Sequence, residues 1–378
     1  VAGRPEERRP NRRDFFKVLG YSGLGALTML VGQRLGFGST GQVYSQDTPN
    51  PTTTAEYVDF PSYVIFIDAS DGNTIKARNG TTGKIDHSDT DATTVINNAI
   101  NALGTTGGKL FLREGTYSIG DAILISSKTS LVGSGRGTIL QFDGGTGFDA
   151  MIQNKNISTG SARDADILVE DLVIDGNRGA TGTGGIMFGN VDRVWINRVS
   201  IYNCYGDGIV MNPNTLGYSA SSQDVWLTNV SVEGCGSDGF AGKGMTNLHI
   251  INSVFHNNGD RVSGSGITLV RNTTVPTHDN YDCEFENCIF DNNQKCGVLL
   301  QGGHRISFVN CSFTNTKDED GVAIGGTVGD DDVAFTNCQA YNNNFSGFKV
   351  GQNDIRISFS NCRSFQNKRI GFSIGYGD

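Results

Sequence analysis

Asp207 and Asp238 each stand directly before a glycine, in Tyr205-Gly206-Asp207-Gly208 and Ser237-Asp238-Gly239. Two carboxylates held side by side cannot both ionise freely, so one pKa rises and that group becomes an acid. An acid beside a base or nucleophile is the equipment of glycoside hydrolysis. Near them in sequence lie Glu233, His256 and Asp260, suited to positioning sugar hydroxyls, and Tyr205, Lys243, Arg261 and Arg271, suited to lining a substrate path. Lyase chemistry would instead use Lys243 or Arg261 as base, with Ca²⁺ or an arginine neutralising a uronate carboxylate. Each residue also has a plainer reading. Asp-Gly is ordinary turn chemistry and recurs at Asp320-Gly321, and His256 fits a residue that bridges a surface turn.

The element that must bring these groups together is a repeat. Asn197, Asn229, Asn252, Asn287, Asn310, Asn337 and Asn361 each precede a short apolar or aromatic run, and the intervals between them are 32, 23, 35, 23, 27 and 24 residues. A polar turn follows each run, then a glycine and a second apolar run, as in Gly297-Val298-Leu299-Leu300 and Gly347-Phe348-Lys349-Val350. Short β-branched and aromatic runs broken by Gly and Asn exclude a helical repeat, and the leucines of leucine-rich repeats are missing. The pattern predicts an all-β chain, a right-handed single-stranded parallel β-helix whose coils stack at about 4.8 Å. Asparagine tolerates the left-handed turn between strands, and its amide can bond to its neighbours along the axis.

Aligned on the asparagines, the coils place Asp175, Tyr202, Glu233, His256, Asp291, Thr314, Asn342 and Gln366 in one file. A second file precedes the glycines: Asp207, Asp238, Ser265, Cys296, Asp320, Ser346 and Ile370. Asp207, Glu233, Asp238, His256 and Asp260 then form the densest polar set, on three consecutive coils. Extra residues at 212–223, 260–265 and 271–281 are expected as loops on the binding face.

The flanking segments are of other kinds. Residues 1–34 hold seven Lys/Arg and three Asp/Glu, leaving the remainder with 23 basic and 36 acidic residues. Such an acidic body argues against nucleic acid as a partner. Asn11-Arg12-Arg13-Asp14-Phe15-Phe16-Lys17 resembles a twin-arginine export motif, and a mildly apolar segment follows. Residues 1–38 are read as an export signal or anchor, 39–56 as a flexible linker and 57–378 as the β-helix domain. The implied location is extracellular or at the cell surface, with membrane contact only through an uncleaved N-terminal segment. All eight cysteines lie beyond residue 203. Cys288, Cys311, Cys338 and Cys362 should stack as buried thiols, while Cys204 and Cys235 are the better disulfide candidates. No spacing fits a zinc site. No cofactor is implied, although the acidic runs 318–320 and 330–332 could take Ca²⁺; runs this short are usually solvated loops.

A helix is expected at about 91–103, with Val95, Ile96, Ala99, Ile100 and Leu103 on one face, Thr90 or Asp91 as N-cap and Gly104 as stop. It would cover the first coil, whose apolar end and unpaired strand edges need a lid. This helix, followed by Gly107-Gly108-Lys109-Leu110-Phe111-Leu112 and Gly115-Thr116-Tyr117, resembles the N-terminus of the pectate-lyase superfamily of right-handed β-helices, over about residues 63–378. The resemblance implies the fold. It leaves activity among lyases, glycoside hydrolases, uronan epimerases, phage tailspikes and proteins without a known role.

Within that superfamily, the order of motifs is similar to polygalacturonases. Asp207-Gly208 falls where their first catalytic Asp-Gly would be and Asp238-Gly239 where the next would be. Gly264-Ser265-Gly266 replaces their Gly-His-Gly, and no Arg-Ile-Lys follows. Tyr205-Gly206-Asp207 also resembles part of mannuronan epimerase sites, but Ile209 stands where their histidine would be. The chain is thus expected to bind polysaccharide and to cleave it as a hydrolase or lyase. The competing expectation is a non-catalytic solenoid stalk, adhesin or spike subunit, with a homo-oligomer left open. The chain stops at Tyr376-Gly377-Asp378, partway through a coil, as a fragment or a partner-covered end would.

Overall fold

Residues in the left-handed conformation set the path of the chain. One column is Asn229, Asn252, Asn287, Asn310, Asn337 and Asn361, with φ between 52 and 56°. A second is Asn203, Asn257, Asn292, Asn315, Asn342 and Gln366, with φ between 54 and 58°. At each the strand bends into the next, which a β-branched residue could not tolerate. The computed structural model describes residues 60–375, apart from 158–161, 179–182, 213–221, 273–277 and 327–328. The expected signal and linker lie outside the described residues.

A representative coil runs Gln223–Thr228, Ser231–Glu233 and Phe240–Lys243; the next runs Thr246–Ile251, Val254–His256 and Ile267–Val270. Each strand pairs in parallel with its counterpart one coil away: Val225 with Leu248, Val232 with Phe255, Phe240 with Ile267. The third strands form a 10-stranded sheet, and the first two contribute to a 21-stranded one. The expected parallel β-solenoid is present.

At its N-terminal end, β1 (Tyr63–Asp68), β2 (Thr74–Asn79) and β3 (Ile85–Asp89) form an antiparallel ribbon. Helix α1 (Ala92–Ala102) follows, capped by Asp91, whose carboxylate accepts from the N–H groups of Thr93 and Thr94. Its buried face is Val95, Ile96, Ala99 and Ile100, and Gly104 ends it at φ 60°. β4 (Gly108–Leu112) then pairs in parallel with β1 and starts the coils. Among the described residues, no helix is long and apolar enough to cross a membrane.

Inside, identical side chains stack on successive coils. Phe285, Phe308, Phe335 and Phe359 form one column with ring centroids 4.4, 4.8 and 5.1 Å apart; Phe255, Phe290 and Phe313 form another at 5.7 and 5.2 Å. Outside, the asparagine amides bond along the axis: Asn287 to Asn252 at 3.1 Å, Asn310 to Asn287 at 3.1 Å, Asn337 to Asn310 at 3.3 Å and Asn361 to Asn337 at 2.7 Å. A third column, buried and unforeseen, contains Asn258, Asn293 and Asn343; Asn258 donates to Asn293 Oδ1 at 3.1 Å.

Four expectations need correction. Asn197 is not a rung: it pairs in strand register with Thr228, and Arg198 takes the left-handed place at φ 52°. Asp171 one coil away holds that guanidinium at 2.6 Å, so a charge pair replaces the amide ladder. Asn342 and Gln366 are not in the strand file either. Tyr341 and Phe365 are, stacked at 4.9 Å, and the polar residues occupy the turn behind them. All eight cysteines are free thiols, Cys204 and Cys235 included, because stacked side chains point the same way. Finally, 330–332 is not simply a solvated run. Asp330 is wholly buried and accepts from the N–H groups of Gly303 at 2.6 Å and Gly325 at 3.0 Å.

Candidate functional site

The file before the glycines is in register as expected. The N–H of Gly208 donates to Asp238 O, that of Gly239 to Ser265 O and that of Gly266 to Cys296 O, each at 3.0 Å. Asp207 Oδ1 accepts from the N–H of Asp238 at 2.8 Å. Asp238 Oδ1 accepts in turn from the N–H of Ser265 at 2.6 Å and from Thr268 Oγ1 at 2.9 Å. Asp320 makes the same bond to the N–H of Ser346 at 2.7 Å. The shared role is local: a carboxylate at the turn before a glycine satisfies the amide of the equivalent turn one coil along.

What sets Asp207 and Asp238 apart from Asp320 is that they are neighbours. Burial raises the Asp207 carboxyl above its usual range, against the pull of Ser237, the Asp238 N–H and Lys243. Burial, and then the charge of Asp207, push Asp238 up to about 7, against the Ser265 N–H, Thr268 and Lys295. Lys243 is lowered by burial, with the two carboxylates opposing that shift. The result is an acid that keeps its proton near neutrality beside a second carboxylate, with ammonium groups close enough to act on both. Thr268 and Lys295 were not among the candidates. Only the coil register reveals them, because each belongs to a later coil than the carboxylate it serves. Ser265 stands next in the file, its buried hydroxyl unpaired among the described residues.

The other candidates are elsewhere. Glu233 and His256 end their strands on the 21-stranded sheet, in register, with Glu233 Oε2 3.3 Å from His256 Nε2. Asp260 is paired with Arg178 at 2.7 Å, and Arg178 also donates to Gly234 O at 2.8 Å. Arg261 lies over the ring of Tyr205, 4.4 Å from its centroid. Arg271 is held by Asp279 at 2.9 Å, and His304 approaches the same carboxylate at 3.1 Å. The five-residue polar set therefore divides into a carboxylate pair leading into one sheet, a Glu–His pair on the other, and an ion pair. Much of the loops expected as walls, 213–221 and 273–277, lies outside the described residues.

Among the described residues, no three His, Cys, Asp or Glu side chains are arranged to hold a metal ion. Both Asp330 oxygens are already used by backbone N–H groups, which leaves that run poorly suited to Ca²⁺.

The family model described as rhamnogalacturonase A/epimerase, pectate lyase-like, matches residues 82–290, more than half of the chain. The chain belongs to this family. A right-handed β-helix region is matched over 275–378, which assigns the hand of the solenoid. Among solved structures it is similar to ORF18 of Geobacillus virus E2 (16% identity, 82% of this chain and 70% of that one, TM-score 0.53). It is also similar to the surface adhesin PfbA of Streptococcus pneumoniae (16%, 76% and 89%, 0.52). A third is a polygalacturonase from Erwinia carotovora (12%, 76% and 92%, 0.52). At such identities these likenesses show the pectate lyase-like fold alone. No curated protein matches the chain.

Proposed function

We propose that this chain is an exported, polysaccharide-binding member of its family that cleaves glycans as a hydrolase. Asp238 is the general acid that protonates the leaving oxygen, and Asp207 is the base or nucleophile on the other carboxylate. Lys243 and Lys295 steady the charge that builds between them, and Thr268 orients Asp238. The observation that carries this reading is the carboxylate pair itself. Asp207 and Asp238 occupy equivalent turns of adjacent coils, and burial with mutual repulsion keeps Asp238 protonated up to about 7.

A second reading keeps the solenoid as a surface or spike protein without turnover. Asp320 favours it, because that residue makes the same backbone bond with no carboxylate in the adjacent turns of its file.

A panel of neutral and acidic polysaccharides separates the two. New reducing ends signal hydrolysis, and the ultraviolet absorbance of unsaturated uronates signals a lyase. Turnover that survives intact in both Asp207→Asn and Asp238→Asn would remove these residues from the chemistry. No turnover on any substrate would leave the structural reading.

A further inference from the structure

A different face of the solenoid carries a second arrangement of unused polar groups. A hollow of about 400 Å³ opens on the 21-stranded sheet, over the strands ending at Tyr202 and Glu233. Its floor is Val173, Ser200 and Ser231, in successive register on three coils. Tyr202 and Glu233 line the hollow, as does Arg136, from the turn at Gly135–Gly137. The size is that of a small-ligand site.

The chemistry of the lining is specific. The hydroxyls of Ser200, Ser231 and Tyr202 and the guanidinium of Arg136 have no hydrogen-bond or ion-pair partner among the described residues. Other exposed arginines of this solenoid are matched, Arg193 with Asp166, Arg305 with Asp282 and Arg356 with Asp332, although Arg363 near the C-terminal end, like Arg136, has no such partner among the described residues. Glu233 supplies an acceptor, its Oε2 3.3 Å from His256 Nε2. Donors and acceptors are thus mixed around a partly apolar floor. That combination suits a ligand with many hydroxyls and an apolar ring face, and it does not suit a compact anion facing Glu233.

Farther along the same strand column a second hollow is lined by Asp291, Ser312, Thr314 and Tyr341. The Ser231 and Ile289 rows are two coils apart, with Val254 between them. Each coil advances by about 4.8 Å, close to the length of one pyranose in an extended glycan. The path joining the hollows therefore keeps step with a carbohydrate chain laid along the axis.

We propose that this face is a second saccharide-binding groove, anchored by Arg136, Ser200, Tyr202, Ser231 and Glu233, which holds a glycan chain without cleaving it. It does not depend on Asp207 and Asp238 being catalytic. A chain held here would raise the effective concentration of the polymer at any other site on the molecule.

The test measures binding by titration calorimetry in the Asp207→Asn/Asp238→Asn chain, where turnover cannot interfere. The probes are soluble polygalacturonan, alginate, galactan and arabinoxylan. At least one should bind. Ser231→Tyr, which fills the hollow, and Arg136→Ala should each weaken that binding about tenfold or more, while Asp320→Asn leaves it unchanged. Both substitutions are on the surface, and unchanged thermal melting shows the fold is kept. Equal affinity in both variants overturns the proposal, as does failure of all four polysaccharides to bind. The readout is affinity, so its failure is distinct from a failure of cleavage.

Discussion

The N–H of Asp238 donates to the carboxylate of Asp207 at 2.8 Å. One bond therefore closes a turn and joins two acidic groups that are 31 residues apart in the chain. Asp238 repeats the motif toward Ser265, and Asp320 repeats it toward Ser346. Evolution of a site here needs no new scaffold, only two carboxylates on adjacent rungs.

The same substitution at three rungs should therefore have two outcomes. Asp207→Asn and Asp238→Asn keep an oxygen for the backbone bond and remove the acid or base. Each should lower turnover by about 10²–10⁴-fold, the usual worth of general acid–base catalysis. Asp320→Asn preserves the same bond away from the pair and should leave turnover within a factor of two or so. Reducing-end assays on the three proteins check this; equal losses at all three would mean that the turns, and not the chemistry, had been damaged.

The pH profile follows from the sign of the Asp238 shift. Its folded pKa is raised to about 7, so the protonated form needed for an acid persists up to that pH and is lost above it. Turnover should fall as pH rises through about 7. Lys243 feels both carboxylates, and losing its positive charge lets them hold their protons longer. Lys243→Met should therefore move the alkaline limb of kcat upward. A limb that stays in place would separate Lys243 from the pair.

Asp330 offers a stability test away from the site. Burial, with the repulsion of Asp354, raises it to about 7. A carboxyl raised on folding contributes its full stability below its unfolded pKa and loses it as pH rises through the folded value. Asp330→Asn turns one of two backbone acceptors into a donor, a cost of about 1–3 kcal/mol. The variant should melt lower than the parent below about pH 4, and the gap should close as pH rises toward about 7. A constant gap would mean that Asp330 does not titrate in this range.

The exposed asparagine ladder and the buried asparagine column should differ in weight. Asn310 is an exposed rung, and Asn310→Ala loses amide bonds worth about 0.5–1.5 kcal/mol each. Asn293 is wholly buried and accepts from the N–H of Asn258 at 3.1 Å while donating to Phe255 O at 3.0 Å. Asn293→Ala leaves those groups without partners in the interior and should cost about 2–4 kcal/mol more than the exposed change. Urea unfolding of the two variants gives the comparison.

The exposed ladder was legible in sequence because asparagine recurs there before a visible apolar run. The buried column was not. Asn258, Asn293 and Asn343 sit in turns of uneven length, where an asparagine looks like any loop residue. Arg198 was missed for a related reason: its left-handed backbone is held by Asp171 one coil away, and no single-residue preference announces such a pair.

The order of strands, the capping helix and the register of the file through Asp207, Asp238, Ser265 and Asp320 followed from residue types and intervals alone. A stacked solenoid converts a sequence interval into a neighbour on the next coil, so periodicity is already a contact map along the axis. What periodicity does not encode is the direction around the coil. Whether Glu233 and His256 share a face with Asp207, whether Lys295 reaches Asp238, and whether Asp330 meets water or backbone depend on turns that rotate the chain between sheets. Those rotations are decided by three-dimensional packing, and they separated one expected cluster into three distinct groups on the molecule.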